Sequence, residues 1–298
     1  MTSEGTIFKT IRDVLRHAVS EFERSNVSFG QGTQSTFDEA AFLVLRTLNL
    51  PPDLLEPFLD ANLTNDEIEL VLRNIALRSR DKIPAPYILN EAWLRDYKFY
   101  VDERALIPRS HIADILLDQI DTWIPDPENI NCALDLCTGS GCLAILLAEV
   151  FGAASVDAID ISEDALAVAQ KNITNYNLQD RIKLIEGDLL TGTQKQYDLI
   201  ISNPPYVDAT AMKGLPEEFQ KEPALALAGG DQGIDLVRQI IEKAPTNLTN
   251  DGLLIVEVGR DRVALEEAFP NIPFTWVTTQ ASEDSVFLLT REDLLARE

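Results

Sequence analysis

Histidine and cysteine are scarce in this 298-residue chain. His17 and His111 lie far apart, and Cys132, Cys137 and Cys142 gather in or beside one apolar run. Two distant imidazoles and three clustered thiols do not make a zinc site or a disulfide framework, so no metal is expected and the thiols read as buried and reduced. Basic residues are also few: 25 Lys plus Arg against 49 Asp plus Glu, a formal net charge of −24. That balance argues against sequence-independent attraction to nucleic acid or an anionic membrane, and favours a basic partner. No uninterrupted apolar stretch is long enough to span a bilayer. Met1-Thr2-Ser3-Glu4-Gly5 lacks the basic and apolar blocks of a secretory leader, so a cytoplasmic protein is expected.

What is present is ordinary globular material, 45% hydrophobic and 25% charged, enough for one large or two smaller domains. Residues 1–84 read as a helical domain. Ile7, Ile11, Val14, Leu15, Ala18 and Phe22 recur at helical spacing, a second run covers Asp38 to Leu48, and Thr64 with Glu67 has the form of a capping box. No carboxylate pair or nucleophile with a base falls here, and the segment reads as a packing or recognition bundle. Pro84-Ala85-Pro86 marks a boundary, and residues 85–107 read as a β-hairpin linker, with strands at Tyr87 to Leu94 and Lys98 to Val101. Ser110 is placed to cap a helix carrying Ile112, Ile115, Leu116 and Ile120.

Residues 108–298 alternate strand and helix, the signature of an α/β, mainly parallel, doubly wound sheet. Strands are expected at Cys132 to Cys137, Ser155 to Asp160, Ile182 to Glu186, Tyr197 to Ser202 and Leu253 to Glu257. An antiparallel pair follows at Phe274 to Thr278 and Ser285 to Thr290.

Two strand ends carry chemistry. After Tyr197 to Ser202 comes Asn203-Pro204-Pro205-Tyr206. Two prolines fix φ and remove two N–H donors, leaving carbonyls that only accept. With the Asn203 side chain and the flat Tyr206 face, this rigid acceptor corner suits a planar NH2 group; it would equally end a strand as a simple turn. After the first strand, Asp135-Leu136-Cys137-Thr138-Gly139-Ser140-Gly141 makes a glycine turn, and Asp160 lies about twenty residues on, where a ribose-binding acid belongs. A tight strand-to-helix turn would also need these glycines.

The charge around that turn selects the nucleotide. Asp135, Asp160, Asp188 and Glu257 all fall at strand ends, and no Lys or Arg lies between residues 132 and 170. Two unit charges 4 Å apart interact by roughly 4 kcal/mol at an effective dielectric of about 20, enough to disfavour a pyrophosphate and favour a cation. S-adenosylmethionine fits: ribose and adenine, no phosphate, a positive sulfonium.

The two motifs together resemble class I S-adenosylmethionine-dependent methyltransferases, with a Rossmann-like sheet. Phe99-Tyr100-Val101-Asp102-Glu103-Arg104-Ala105-Leu106-Ile107-Pro108-Arg109, the Asn203 motif, Glu222-Pro223-Ala224-Leu225-Ala226-Leu227 and Glu257-Val258-Gly259 are similar to the protein-glutamine N5-methyltransferase (HemK-type) family along essentially the whole chain. Pro108-Arg109-Ser110-His111 departs from the release-factor branch. Leu15-Arg16-His17-Ala18-Val19-Ser20 and Pro273-Phe274-Thr275-Trp276 look like the branch that acts on large-subunit ribosomal protein L-3, a basic substrate.

The resemblance implies that Thr138, Gly139, Ser140 and Gly141 hold the methionine end of the cofactor, with Asp135 beside them and Asp160 on the ribose. Asp188 and Leu189 would border the adenine. Asn203 and the Pro204 carbonyl would accept from the glutamine NH2, with Pro205 and Tyr206 against the amide and Arg109 and Glu222 at the substrate mouth. Release-factor methylation and adenine N6-methylation of nucleic acid stand as alternatives; a sequence-specific nucleic-acid partner is not expected from the acidity. An oxidoreductase on the same turn and a non-catalytic assembly factor are further readings.

Overall fold

A computed structural model describes residues 8–259, 261–279 and 283–296. Ile7 of the first apolar stripe and the segment Met1 to Gly5 lie outside the described residues. By contacts the chain divides into two compact units: residues 1–92 with 216–221, and residues 93–215 with 222–298.

The first unit is helical. Thr10 and Asp13 exchange a capping box at the start of α1 (Ile11–Arg24), whose Ile11, Val14, Leu15, Ala18 and Phe22 are buried as one stripe. Ser35 caps α2 (Thr36–Thr47), and Thr64 with Glu67 forms the expected box on α3 (Asn65–Ser79). Their apolar faces meet in a single cluster that includes Val44, Val71 and Ile75. Arg78 is buried as well, paired with Glu39 and donating to the Ser28 carbonyl at 2.7 Å. Six residues from far along the chain complete this unit. Glu218 takes the Ser28 N–H at 3.0 Å and lies 3.5 Å from both Arg78 and Lys82.

The expected linker hairpin is shorter than its sequence suggested. Pro84 and Pro86 open a helical turn, α4 (Ala85–Leu89), which takes Tyr87 out of the strand. A proline is well suited to a first turn, where its missing N–H costs nothing. Only β1 (Ala92–Leu94) and β2 (Tyr97–Phe99) pair. The helix expected after Ser110 is also irregular: α5 (Ile112–Asp114) passes into a π turn and then a 3-10 turn, while Ile112, Ile115, Leu116 and Ile120 are buried as anticipated.

The second unit holds, among the described residues, a seven-stranded sheet in the order β5-β4-β3-β6-β7-β9-β8. Its strands are β3 (Cys132–Leu136), β4 (Ser155–Asp160), β5 (Ile182–Glu186), β6 (Tyr197–Ser202), β7 (Leu248–Glu257), β8 (Thr275–Val277) and β9 (Val286–Thr290). The first five are mutually parallel, and β9 runs antiparallel to both of its neighbours, β7 and β8. After α5, the further α-helices of this unit among the described residues are α6 (Cys142–Val150), α7 (Glu163–Asn175), α8 (Ala209–Gly214), α9 (Asp235–Asn247), α10 (Arg262–Ala268) and α11 (Arg291–Leu295). The central strands are apolar almost throughout because both faces are covered. Ala133, Leu199 and Ile201 join one cluster with α6; Leu134, Leu136, Ile200 and Val256 join the other with Val237, Ile240 and Ile241 of α9. Strand order reverses between β3 and β6, so the crevice beyond their carboxyl ends is where a ligand site belongs. Among the described residues no helix is long and apolar enough to cross a membrane.

Candidate active site

Two adjoining cavities open at that reversal, and Cys137, Gly139 and Asn203 line both. The larger is walled in part by Arg104, Asp160, Ser162, Asp188 and Leu189, with Leu225 and Leu236 also on its lining. The smaller is walled by Ile107, Arg109, Ser110, Thr138 and Ser140.

The turn that they share is tightly built. Gly141 has φ +78, and a Cβ there would stand 3.0 Å from that of Ala169, so the turn can pack on α7 only with glycine. Asp160 braces the same turn from β4, taking the Gly139 N–H at 2.8 Å and the Ser162 N–H at 2.9 Å. Burial still pushes its carboxyl above the usual range. Two non-glycine residues on the cavity wall, Cys137 (φ 59) and Leu189 (φ 51), adopt left-handed backbone. Such conformations cost on the order of 1–3 kcal/mol each and tend to mark functional sites.

Asp135 is not where the sequence placed it. It lies beneath the turn, fully buried, lining neither cavity, and takes the Thr138 hydroxyl at 2.6 Å. Burial pushes its carboxyl up to about 7. Glu257 is likewise buried behind the site and its carboxyl raised by desolvation. The negative lining of the larger cavity therefore rests on Asp160 and Asp188, a narrower charge than the four acids in sequence suggested. Gly141 also stays out of the cavity wall and serves as the turn's closing residue, its N–H donating to the Thr138 carbonyl at 2.9 Å.

At the end of β6 the Ser202 hydroxyl donates to the Leu136 carbonyl at 2.9 Å, locking β6 to β3 just before the motif. Asn203 then lines both cavities, and its buried Oδ1 has no hydrogen-bond partner among the described residues. A buried amide oxygen left unpaired costs roughly 1–3 kcal/mol, which a ligand NH2 would recover. Pro205 lines the larger cavity, and Pro204 is buried behind it. Tyr206 is partly buried, and burial followed by the charge of Glu257 raises its phenol.

Arg109 reaches the smaller cavity but is not free to roam. Its Nη1 meets both Glu222 oxygens, at 2.9 and 2.7 Å, and Glu222 also takes the Ile107 N–H at 3.2 Å. Glu222 lines neither cavity; it pins the Ile107–Arg109 segment in place. Sequence reasoning gave no role to Arg104, which lies on the wall of the larger cavity, its guanidinium gripped by Asp102 at 2.9 and 2.6 Å. That grip holds the Asp102 carboxyl down to about 2. The Asp102-Glu103-Arg104 spacing was the available signal. The part of the wall formed by Leu225 was legible only as a stretch of resemblance, with no periodicity to assign it.

Residues 113–232 match the family model for the methyltransferase small domain. The fold is also that of solved methyltransferases: the hMettl16 catalytic domain in complex with MAT2A 3'UTR hairpin 6 aligns over 76% of this chain and 81% of its own, with a TM-score of 0.51 at 17% identity. Fold, crevice and family match together define an α/β class I methyltransferase. Full-length relatives narrow this. The chain is 49% identical to the ribosomal protein uL3 glutamine methyltransferase of Burkholderia pseudomallei (strain K96243), covering 99% of each. It is 52% identical to the protein of the same name from Neisseria meningitidis serogroup A / serotype 4A (strain DSM 15465 / Z2491), covering 97% of this chain and 95% of that one. The chain belongs to the ribosomal protein uL3 glutamine methyltransferase family.

Proposed function

We propose that this protein transfers a methyl group from S-adenosylmethionine to the side-chain amide nitrogen of a glutamine in ribosomal protein uL3, in the cytoplasm. The observation that carries the reading is the buried Asn203 Oδ1 at the junction of the two cavities, unpaired among the described residues. It is an acceptor without a donor, on a strand end where a planar NH2 can be presented. The names of the full-length relatives support the substrate, and the net charge of −24 suits a basic ribosomal protein.

The larger cavity fits the donor's nucleoside. Asp160, already fixed by two backbone N–H groups, would take the ribose hydroxyls; Asp188 and Leu189 would border the adenine. Thr138, Gly139 and Ser140 would line the methionine end. Bound there, the donor supplies an electrophilic methyl on a sulfonium. The chain's own contribution is orientation. An amide nitrogen is a weak nucleophile because its lone pair is delocalised. Asn203 Oδ1 and the Pro204 carbonyl would accept from its two hydrogens, raise its electron density and aim it, while Tyr206 covers the amide plane. Alignment of this kind is worth roughly 7–11 kcal/mol in favourable cases. The helical unit, centred on residues 1–84, would serve substrate recognition.

The test is a pair of substitutions. Asn203→Ala keeps donor affinity within a few-fold by titration calorimetry but loses on the order of 10²-fold in single-turnover methylation of uL3. Asp160→Ala does the reverse, weakening donor binding first. Interchanged results would make Asn203 a donor ligand and overturn the assignment.

A further inference from the structure

Methyl transfer as described leaves Asp102 and Arg104 without a part. A tight turn folds the two together: the Ala105 N–H donates to the Asp102 carbonyl at 3.1 Å, and the Arg104 N–H to Asp102 Oδ1 at 3.2 Å. The guanidinium comes back onto the carboxylate, Nε to Oδ1 at 2.9 Å and Nη2 to Oδ2 at 2.6 Å. Oδ2 also accepts from the Tyr100 hydroxyl at 2.7 Å. Tyr100 is itself held through its backbone. Asn172 of α7, with no solvent exposure, takes the Tyr100 N–H at 2.7 Å and donates to the Tyr100 and Ser140 carbonyls, each at 2.9 Å. One buried amide thus joins the glycine turn to the segment that carries Arg104.

The outcome is a guanidinium fixed along one edge at the cavity wall. Arginine carries five N–H donors, and the Asp102 grip uses two of them. The side chain is 40% exposed, and among the described residues Arg104 is the only Lys or Arg on the lining of the larger cavity. Asp160 and Asp188 on the same lining can only accept once ionised, whereas a nucleoside also presents acceptors, its ring nitrogens and ribose oxygens. Charge matters as well as aim. The Arg104 grip holds the Asp102 carboxyl down to about 2, so it stays ionised and offsets the cation beside it. An uncompensated guanidinium on this wall would repel a sulfonium; a paired one can donate hydrogen bonds with far less repulsion.

We propose that Arg104 is a binding residue for the nucleoside of the methyl donor, and that Asp102 positions its guanidinium and cancels its charge. This deepens the reading that the larger cavity holds that nucleoside, and rests on it. Arg104 supplies the donors that the acidic lining lacks; Asp102 acts through Arg104 alone.

The experiment measures the affinity of three ligands for the full-length protein by titration calorimetry, with thermal melts as folding controls. They are S-adenosylmethionine, S-adenosylhomocysteine, which lacks the positive charge on sulfur, and methylthioadenosine, which lacks the amino-acid end as well. Arg104→Met is expected to weaken the two neutral ligands equally, by about tenfold, the scale of one hydrogen bond to a charged group. It also leaves Asp102 uncompensated, so S-adenosylmethionine should lose about threefold less than S-adenosylhomocysteine. Asp102→Asn leaves the guanidinium uncompensated, and should weaken S-adenosylmethionine about threefold more than S-adenosylhomocysteine. Arg104→Lys keeps the charge but not the planar fork; it should weaken all three ligands with the ratio between the charged and uncharged donor close to that of wild type. A merely structural role would leave that ratio unmoved in every variant, and this result overturns the proposal. So does an Arg104→Met loss that spares methylthioadenosine, which would put the guanidinium on the amino-acid carboxylate instead. Should Asp102→Asn fail to fold, the two Arg104 variants decide by the same ratio. Wild-type protein that binds none of the three ligands overturns the donor reading itself; wild-type binding that Arg104→Met leaves untouched overturns this inference alone.

Discussion

Replacing Asp135 by asparagine isolates the electrostatics beneath the glycine turn. Asp135 has no solvent exposure, and its side chain accepts from Thr138. Burial raises its carboxyl from 3.8 to about 7, a rise opposed by the Thr138 hydrogen bond and reinforced by the charge of Asp160. A carboxyl whose folded value is raised binds its proton more tightly when folded. Its contribution is fully favourable below the unfolded value near 3.8, and is lost as pH rises toward about 7. A span of roughly three pH units at about 1.36 kcal/mol each amounts to about 4 kcal/mol. The substituted amide carries no charge at any pH and still offers an acceptor to Thr138. The stability difference between Asp135→Asn and wild type should therefore move in the variant's favour by about 1.4 kcal/mol per pH unit between about pH 4 and 7, then level off. Subtracting one protein from the other cancels titrations common to both. Urea unfolding followed by tryptophan fluorescence is the assay, because Trp93, Trp123 and Trp276 all fall in the methyltransferase unit. A difference that is flat across this range would mean that Asp135 is ionised throughout, and would refute the burial argument.

Other outcomes follow from the same geometry. Gly141→Ala forces a Cβ to 3.0 Å from Ala169 at φ +78, and should lower the stability of the same unit by about 1–3 kcal/mol in the same urea assay. Arg78→Ala leaves Glu39 and Glu218 without their buried partner, and should cost the helical unit about 3–5 kcal/mol by far-UV circular dichroism; a loss below about 1 kcal/mol would show the cluster to be hydrated. Asn203→Ala and Asp160→Ala should separate turnover from donor binding, as stated above.

The strands of the methyltransferase unit were legible because a parallel strand covered on both faces is an unbroken apolar run. Tyr197 to Ser202 and Ser155 to Asp160 stand in the structure where the sequence put them. The Thr64 cap was legible for a different reason: its partner, Glu67, is three residues away. What escaped depends on distant partners. Arg78 reads as a solvated charge until Glu39 folds onto it, and the depth of Asp135 follows from the packing around β3 rather than from its neighbours in sequence. The left-handed Cys137 and Leu189 escaped because such backbone favours glycine or asparagine, and neither residue announces it. Glu222 was visible as part of a family pattern, yet its work, pinning Arg109, joins two residues 113 positions apart in sequence.

The contribution of residues 216–221 to the helical unit has a consequence for synthesis. Arg78 leaves the ribosome 140 residues ahead of Glu218. At about 5–20 residues per second that is a delay of roughly 7–28 seconds, during which the nascent bundle holds its interior guanidinium with Glu39 alone among the two acids. A fragment ending near residue 92 would be frozen in that interim state.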